Sequence, residues 1–266
     1  MYETHYHRPK DLAEAARIFA GAPEARSLAG GQTLLPTMKQ RLAAPSDVID
    51  LRKLPELKGI TVTGDAVTIG AATTHAEVNQ SDAVKKAIPA LAYLASLIGD
   101  PAVRHMGTIG GSLANNDPAA DYPAAVMALN ATIKTDKRTI AAEDFFTGLF
   151  STALEPGEVI VSVTFPVPAK AAYAKFDNPA SRYAMAGVFV AKLKDGAVRV
   201  GVTGAHGDGV FRANAIEQAL TASWSPEAVQ GVSISSDGML SDIHGSAAYR
   251  TNLVKVMAKR AVAAAG

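Results

Sequence analysis

Two short glycine pairs are the strongest constraint on how this chain can fold. The first lies in the sequence AGGQT at residues 29–33, and the second in TIGGSLAN at residues 108–115. Glycine has no Cβ and adopts positive φ at low cost, so such loops direct several backbone N–H groups into one concavity. The two pairs therefore predict two loops that receive an anionic ligand.

Composition narrows the classes of protein to which the chain can belong. The chain has 266 residues, 48% of them hydrophobic, with a net charge of +1. This length and hydrophobic content allow a sizeable core, and the charge balance shows no bias toward nucleic acid or membrane surfaces. The polar N-terminus lacks a signal-peptide core, and no apolar run could insert into a membrane, so we expect a cytoplasmic protein.

The absence of cysteine excludes several kinds of site within this chain. Disulfides, cysteine-ligated zinc, iron–sulfur clusters and thiol nucleophiles all require that residue. The six histidines form no metal-ligand spacing with a third ligand, so we expect no metal site. Any redox chemistry would come from a bound organic cofactor or a partner.

Turn and periodicity signals predict three units. Residues 1–56 follow the order β-α-β-α-β, with a helix over 10–19 and a second one after Thr33 as N-cap, which favours a mostly parallel sheet. Residues 57–168 begin after Pro55 with a hairpin around residues 64–65. Residues 169–266 predict an antiparallel three-stranded meander followed by helices. The chain as a whole is of the α+β class.

The first glycine loop has a functional and a structural interpretation. As a phosphate cradle it would use the amides of Gly30 and Gly31, the side chains of Gln32 and Thr33, and the following helix N-terminus. Alone, it is equally consistent with an ordinary strand-to-helix turn. Neither G-x-x-x-x-G-K-[ST] nor G-x-G-x-x-G after the first strand is present, which argues against a nucleotide hydrolase and a Rossmann site.

The second loop brings further polar groups into the prediction. Gly110 and Gly111 would supply amides, Ser112 and Asn115 side-chain hydrogen bonds, and Asp121 an acceptor for a sugar hydroxyl. Asn-Asp-Pro at 116–118 is also a turn and capping signal, and Asp117 fits the role of the cap. Two loops that clamp one diphosphate make the functional interpretation stronger than either loop alone.

Other candidate residues carry weaker signals. His75 and His105 lie near the loops in sequence and are candidates for the site wall. Lys175 and Tyr183 flank a turn, where an aromatic ring could stack on a flat ligand. From composition alone, a half-buried strand tyrosine is the preferred interpretation of Tyr183.

Four segments together resemble a known family. AGGQTLLPTMK at 29–39 and TIGGSLANNDPAADYP at 108–123 are similar to the two FAD-binding loops of the medium subunit of molybdenum hydroxylases, the group that includes aerobic carbon-monoxide dehydrogenase and xanthine dehydrogenase. PGEVIVSVTFP at 156–166 and YAKFDNPASRYAMAGV at 173–188 resemble later segments. The resemblance implies a two-subdomain FAD-binding domain of the vanillyl-alcohol-oxidase-like (PCMH) type and a C-terminal domain with an antiparallel three-stranded sheet and helices.

The resemblance also implies roles for individual residues in binding FAD. The first loop would wrap the diphosphate and the adjoining sugar, and the second would hold the other side of the diphosphate. Asp121 would bind the ribityl or ribose part, Ile160 would make a backbone contact, and Lys175 would approach the isoalloxazine ring. Tyr183 would cover one face of that ring and Ile98 would pack on the other. The implied FAD-binding set is Ala29, Gly30, Gly31, Gln32, Thr33, Leu34, Leu35, Ile98, Thr108, Gly110, Gly111, Ser112, Asp121, Ile160, Lys175 and Tyr183.

The family's chemistry implies that this chain contributes no catalytic residue for the organic substrate. FAD would be bound non-covalently, while the molybdenum–pterin centre lies on a large partner subunit and the [2Fe–2S] clusters lie on a small one. A dimer of heterotrimers is the implied assembly. The sequence departs from many relatives at Ser112, where asparagine is common, and a basic pair is reduced to Arg182.

Two other functions remain open at this point. One is a stand-alone FAD oxidase or dehydrogenase, which would need a substrate pocket and a base such as His75 or His105. The other is a non-catalytic phosphate- or nucleotide-binding module. Bound flavin and co-purifying subunits would distinguish the three.

Overall fold

Five elements near the N-terminus build a small parallel sheet, in the β-α-β-α-β order that the sequence predicts. The computed structural model describes all 266 residues. These elements are β1 (His5–His7), α1 (Leu12–Gly21), β2 (Arg26–Leu28), α2 (Leu34–Lys39) and β3 (Asp47–Asp50). Strand β3 lies between β1 and β2 and is parallel to both, which forms the first sheet. The connection between β2 and β3 carries α2, as a parallel crossover requires.

Helix α1 begins two residues later than the sequence predicts, because Asp11 caps it. The Asp11 carboxylate accepts a hydrogen bond from Glu14 N at 2.7 Å, and the Glu14 carboxylate accepts one from Lys10 N at 2.8 Å. Aspartate at this position satisfies an N–H group that has no partner within the helix. The helix then buries Ala15 in the apolar cluster that contains Ile49.

The middle of the chain forms an antiparallel sheet of five strands. In chain order its strands and a separate hairpin are β4 (Ile60–Thr63), β5 (Ala66–Gly70), β6 (Thr132–Thr135), β7 (Thr139–Ala141), β8 (Phe146–Gly148), β9 (Ser151–Thr152) and β10 (Ile160–Pro166). The order in this second sheet is β4-β5-β10-β6-β7, while β8 and β9 pair only with each other. The hairpin predicted at residues 64–65 joins β4 and β5.

Seven short helices lie among the strands of the second sheet in chain order, and one of them carries the second glycine loop. They are α3 (His75–Gln80), α4 (Asp82–Ala87), α5 (Pro89–Ser96), α6 (Pro101–Met106), α7 (Ile109–Asn115), α8 (Tyr122–Ala128) and α9 (Ala142–Phe145). Helix α3 begins with a capping box, in which Thr74 Oγ1 accepts from Glu77 N at 3.2 Å and the Glu77 carboxylate accepts from Thr74 N at 2.7 Å. This reciprocal pair fixes the entrance to the helix.

The C-terminal sheet has four strands, so the prediction of three is wrong. Its elements are β11 (Lys170–Asp177), β12 (Ala184–Lys192), β13 (Val198–Thr203), β14 (Phe211–Arg212), α10 (Asn214–Ala222) and α11 (Ala247–Ala265). The order in this third sheet follows the chain, β11-β12-β13-β14, and all pairs are antiparallel. Strand β14 was not predicted because two residues are too few to show an alternation of apolar and polar side chains. Single 3₁₀ turns occur at Pro55–Leu57 and Pro226–Val229.

The third sheet is buried on both faces by different partners. Val188 and Val190 of β12 belong to the apolar cluster that includes α11, whereas Phe189 and Ala191 belong to the cluster of the second sheet. Successive side chains of a strand point to opposite faces, so one strand contributes to both cores. The third sheet is thus packed firmly between α11 and α8. No helix of the structure is both long and apolar enough to cross a membrane.

Helix α8 lies unusually close to strand β13. A Cβ built on Gly201 would lie 2.1 Å from the carbonyl oxygen of Ala124. Beside this contact, the Arg199 guanidinium donates to the Met127 carbonyl at 3.0 Å and to the Glu143 carboxylate at 2.8 Å. The contact at Gly201 therefore sets how near the third sheet approaches the second.

We expect Gly201→Ala to destabilise the protein by about 2 kcal/mol, because the added methyl group overpacks a backbone contact. Urea unfolding at neutral pH would measure the change. Gly21→Ala is the matched control, since a Cβ at Gly21 meets nothing within 4 Å. Equal unfolding midpoints for the two variants would contradict the proposed tight contact.

Candidate functional site

The three sheets meet at one large cleft of about 1270 Å³. Small-molecule pockets typically measure about 300–1,000 Å³, so this cleft has room for a dinucleotide. Fifteen of the sixteen residues predicted from the sequence line it. They are Ala29, Gly30, Gly31, Gln32, Thr33, Leu34, Ile98, Thr108, Gly110, Gly111, Ser112, Asp121, Ile160, Lys175 and Tyr183.

Leu35 is the predicted residue that does not line the cleft. Its side chain packs beneath the first loop, with the apolar cluster of Leu28, Met38 and Val48. A Cβ on Gly31 would lie 2.9 Å from Leu35 Cδ1, so Leu35 supports the loop from behind. Leu35 thus differs from the other predicted residues because α2 turns this position toward the apolar cluster.

The first loop presents a row of free backbone donors. The N–H groups of Gly30, Gly31, Gln32 and Thr33 donate to no acceptor within the protein. Gly31 has φ of 73°, a conformation that glycine adopts without strain, and this turns the chain sharply before α2. Unpaired N–H groups of this kind favour an anionic partner. The structure thus supports the predicted cradle at this loop.

Thr33 occupies the position that precedes α2 but does not cap the helix through its side chain. Its φ and ψ are −110° and −55°, whereas a capping residue normally has an extended backbone. The Thr33 hydroxyl consequently makes no hydrogen bond to the helix. The predicted capping bond is therefore absent.

The two glycine loops touch each other directly. A Cβ on Gly30 would lie 2.3 Å from the Met106 carbonyl oxygen and 2.6 Å from Gly107 Cα. A Cβ on Gly111 would lie 3.4 Å from the Ala29 Cβ. The loops therefore form adjacent walls of a single site, as the sequence predicts.

The second loop differs from the prediction in how its amides are used. Gly110 N donates to the Ala71 carbonyl at 2.9 Å, and Gly111 N donates to Thr108 Oγ1 at 3.1 Å. Both N–H groups are thus already paired, because Thr108 caps α7 and because α7 packs on Ala71. The expectation that Gly110 and Gly111 supply free amides is wrong.

Polar side chains take over the donor role along the second loop. Ser112 and Asn115 line the cleft, and their side chains make no hydrogen bond within the protein. A Cβ on Gly110 would lie 2.6 Å from the Ala71 Cβ, which places this glycine between α7 and the sheet. The glycines here permit close packing, and Ser112 and Asn115 are left to meet a ligand.

Asp121 lies in the cleft wall with both carboxylate oxygens engaged. Tyr173 donates its hydroxyl proton to Oδ1 at 2.6 Å, and the Lys175 ammonium lies 3.1 Å from the carboxylate. Lys175 also donates to the Leu97 carbonyl at 3.2 Å. Burial raises the pKa of Asp121, against the opposing effects of Lys175 and Tyr173. The sequence did not predict that Asp121 would be held by the protein itself.

Asp117 shapes the segment between α7 and α8. Its carboxylate accepts from Ala119 N at 2.8 Å, and its carbonyl accepts from Ala120 N at 2.9 Å. The result is a turn, and α8 begins only at Tyr122. Asp117 is thus a turn residue and does not cap α8, whose preceding position is taken by Asp121.

Tyr183 lies at the mouth of the cleft, with 54% of its surface exposed. It follows a turn in which the Asn178 side chain accepts from Ala180 N at 2.9 Å and from Ser181 N at 3.2 Å. Arg182 next to it has φ of 62°, a left-handed conformation that is uncommon for this residue type. The turn holds Tyr183 outward, away from the core of the third sheet.

The two histidine candidates have different environments. His105 is exposed on α6 and does not line the cleft. His75 lines it and is 4% exposed, with its ring 5.4 Å from that of Tyr122. Burial, with a contribution from Arg104, lowers the pKa of His75 to about 4. A histidine held neutral in this way is a weak base, which argues against the predicted role in a stand-alone oxidase.

Among the parts of the cleft wall that were not predicted from the sequence, two are continuous segments. They are residues 23–27, before and within β2, and residues 156–159, before β10. Gly157 has φ of 72°, and a Cβ there would lie 3.0 Å from the Phe19 Cβ. The absence of a side chain at Gly157 therefore lets its loop pack closely against α1. The Pro-Gly pair at 156–157 is the sequence signal that could have identified this wall.

Comparison with known proteins identifies the family. The model of the FAD binding domain in molybdopterin dehydrogenase matches residues 2–168. The chain belongs to this family. The resemblance of the two glycine loops is thereby confirmed, and FAD is the cofactor of the matched domain.

Two relatives that match the chain over nearly its full length are named as a medium chain and a medium subunit. The chain is 36% identical to the carbon monoxide dehydrogenase medium chain of Hydrogenophaga pseudoflava, over 98% of this chain and 96% of that one. It is 37% identical to the nicotine 6-hydroxylase medium subunit of Paenarthrobacter nicotinovorans, over 98% and 96%. A crystal structure of Cu,Mo-CO dehydrogenase in its cyanide-inactivated form matches with a TM-score of 0.89 and 34% identity, covering 100% and 98% of the two chains.

The residues of the cleft fit FAD. The free N–H groups of the first loop suit a diphosphate, and the volume accommodates a dinucleotide. The same cleft has apolar surface at Ile98 and Ile160 and an aromatic ring at Tyr183. The cleft therefore offers suitable groups both for the flat isoalloxazine ring and for the charged diphosphate of FAD.

We expect His75→Leu to reduce the acid sensitivity of folding. The unfolded chain binds a proton near pH 6.5 that His75 accepts in the folded protein only near pH 4, so the unfolding free energy falls as the pH drops through this interval. The difference amounts to about 3 kcal/mol. Urea unfolding between pH 7 and 4 would measure it, with His105→Leu as the exposed control. A steep pH dependence that persists in His75→Leu would contradict the assignment.

Proposed function

We propose that this chain is the FAD-binding electron-transfer subunit of a heterotrimeric molybdenum hydroxylase. The observation that carries the proposal is the row of unpaired N–H groups at residues 30–33, which lies beside the second glycine loop in the wall of a cleft of dinucleotide size. Relatives of similar length include medium chains and a medium subunit, which supports the same role here. FAD, when bound, supplies one- and two-electron redox chemistry between iron–sulfur clusters and an external acceptor.

The first loop would bind the diphosphate through its backbone. Gly30, Gly31, Gln32 and Thr33 have N–H groups free to donate. The side chains of Gln32 and Thr33 also make no hydrogen bond within the protein. Ala29 and Leu34 lie at the two ends of this segment and also line the cleft. Each bond to an anionic oxygen would be charge-assisted and therefore stronger than a neutral one.

The second loop would hold the other side of the diphosphate through side chains. Thr108 caps α7, and Ser112 and Asn115 have side chains without partners in the protein. Gly110 and Gly111 act by leaving room, since their N–H groups are already paired. Ser112 is shorter than asparagine, so its contact would be closer to the backbone or bridged by water.

The third sheet and the start of β10 would surround the flavin ring. Lys175 and Asp121 form the charged part of this wall, and Tyr183 would cover one ring face. Ile98 would pack on the opposite face, and Ile160 would contribute backbone at the first residue of β10. In this arrangement the chain binds and orients FAD and sets the electrostatic field around it.

Further parts of the proposal concern architecture and assembly. The FAD-binding part would comprise subdomains 1–56 and 57–168 of the PCMH type, followed by a C-terminal domain at 169–266. The molybdenum–pterin centre and the [2Fe–2S] clusters would lie on a large and a small partner subunit. The complete enzyme would be a cytoplasmic dimer of heterotrimers, with FAD bound non-covalently.

Co-purification tests this function against the alternatives. We expect a yellow chain that oxidises no substrate alone and that co-purifies with molybdenum and iron–sulfur subunits. Substrate oxidation by the purified chain alone would instead indicate a stand-alone flavoenzyme. A chain that takes up no FAD would contradict both flavin functions and favour a nucleotide-binding module.

We expect Gly111→Val to abolish FAD binding while the fold is kept. A Cβ at Gly111 would already lie 3.0 Å from Thr108 Oγ1 and 3.4 Å from the Ala29 Cβ, so the extra branches would push the two loops apart. Flavin absorbance per protein and circular dichroism would measure binding and folding. Gly21→Val serves as control, and stoichiometric flavin in Gly111→Val would show that this contact is not needed.

Tyr183→Ala should leave FAD bound but change its absorbance spectrum and reduction potential. Tyr183 projects from the turn at 54% exposure, so its removal disturbs no core packing. Spectroelectrochemical titration would measure the change, with the exposed Tyr2→Ala as control. An unchanged spectrum together with an unchanged potential would remove Tyr183 from the flavin site.

A further inference from the structure

The ion pair of Lys175 and Asp121 is buried at the cleft wall. The two side chains are 3% and 6% exposed. Removing two charges from water costs free energy that their attraction offsets only when further hydrogen bonds satisfy the pair. Lys175 obtains such a bond from the Leu97 carbonyl at 3.2 Å.

Tyr173 supplies the corresponding bond to Asp121. Its hydroxyl lies 2.6 Å from Asp121 Oδ1, and the residue is 3% exposed. Hydrogen bonds to a charged group at this distance belong to the strong class. Tyr173 does not line the cleft, so it acts on a bound ligand only through Asp121 and Lys175.

The third sheet is shaped to receive this hydroxyl. Gly187 pairs with Lys175 on the neighbouring strand, and a Cβ there would lie 2.2 Å from the Tyr173 hydroxyl oxygen. Thr203 Oγ1 donates to the Ala120 carbonyl at 2.6 Å, which fixes the backbone immediately before Asp121. The third sheet thus fixes the position of the Tyr173 hydroxyl and of the backbone next to Asp121.

We propose that Tyr173 is a positioning residue of the flavin site, whose hydroxyl keeps the Asp121 carboxylate ionised and oriented toward the Lys175 ammonium at the cleft wall. This inference rests on the proposed function. Lys175 has three N–H donors, and Asp121 and the Leu97 carbonyl receive two of them. The third is available to the ligand that fills the cleft.

The expected consequence is a change in the charge next to the flavin. Without the Tyr173 hydroxyl, Asp121 would take up a proton at higher pH, because a bond that favours its charged form is lost. Lys175 would then lack its counter-charge. A net positive charge near the ring favours the reduced cofactor, so the reduction potential would become more positive below that pH. The ionisable groups that face Asp121 are Lys175, Tyr173 and Asp177 on β11, Tyr122 on α8 and Tyr183 at the turn.

Tyr173→Phe in the full chain loaded with FAD is the direct test. In a plot of flavin potential against pH, the protonation of Asp121 should appear as a change of slope, called the break here. We expect this break to move to higher pH by about one unit. Asp121→Asn should show the more positive potential without this break. Carboxyl NMR of the FAD-free chain should show the same upward shift for Asp121. Tyr249→Phe is the control, since the Tyr249 hydroxyl makes no hydrogen bond in the protein.

Gly187→Ala provides a second route to the same effect while keeping the tyrosine. Its methyl group would displace the Tyr173 hydroxyl from Asp121, so the break should move in the same direction. Gly207→Ala is the matched control, because a Cβ there meets nothing closer than 3.5 Å.

The outcomes separate this inference from the function on which it rests. A shifted break in Tyr173→Phe and Gly187→Ala, with both controls unchanged, supports it. A variant that binds FAD with the parent's potential and pH profile, even if its thermal stability is lower, overturns the positioning role alone. A parent chain that takes up no FAD overturns the proposed function and this inference together.

Discussion

The contact between Gly30 and the backbone of Met106 and Gly107 is the constraint on which the site depends. It brings the first sheet against the helices of the second, at a distance that no side chain at residue 30 could allow. Gly107 in turn lies against His75, and Gly110 against Ala71. The geometry of the cleft is therefore set by packing between protein segments, so the free N–H groups at residues 30–33 are arranged before any ligand binds.

The two loops contribute in different ways although their sequences are alike. In the first, the backbone donors are free because Gly31 turns the chain out of the strand before α2 begins. In the second, Thr108 and Ala71 already accept the N–H groups of the glycine pair. One loop thus has free backbone donors, and the other is a close-packed wall that carries hydroxyl and amide side chains. Repetition of a motif in sequence does not imply repetition of its hydrogen bonding.

Sequence reasoning predicted the order of elements in the first sheet and the parallel pairing, and all but one of the residues that it proposed for the site line the cleft. Those features depend on local signals, namely glycine pairs, hairpin turns and apolar periodicity. What it missed depends on contacts between distant segments. The paired state of the Gly111 amide, the inward position of Leu35 and the Tyr173–Asp121 bond all arise from packing between elements far apart in sequence. Strand β14 was missed because two residues carry no periodicity.

The division of the site between parts of the chain has a functional consequence. The family match ends at residue 168, and the residues before it include both loops and Asp121. Lys175, which balances Asp121, and Tyr173, which holds it, lie on β11 after that point. An Asp121 carboxylate without these partners would be an uncompensated buried charge. In the proposed function, the part that would bind the diphosphate therefore needs the third sheet to complete the wall at the flavin, and the tight approach of α8 to Gly201 holds that sheet in place.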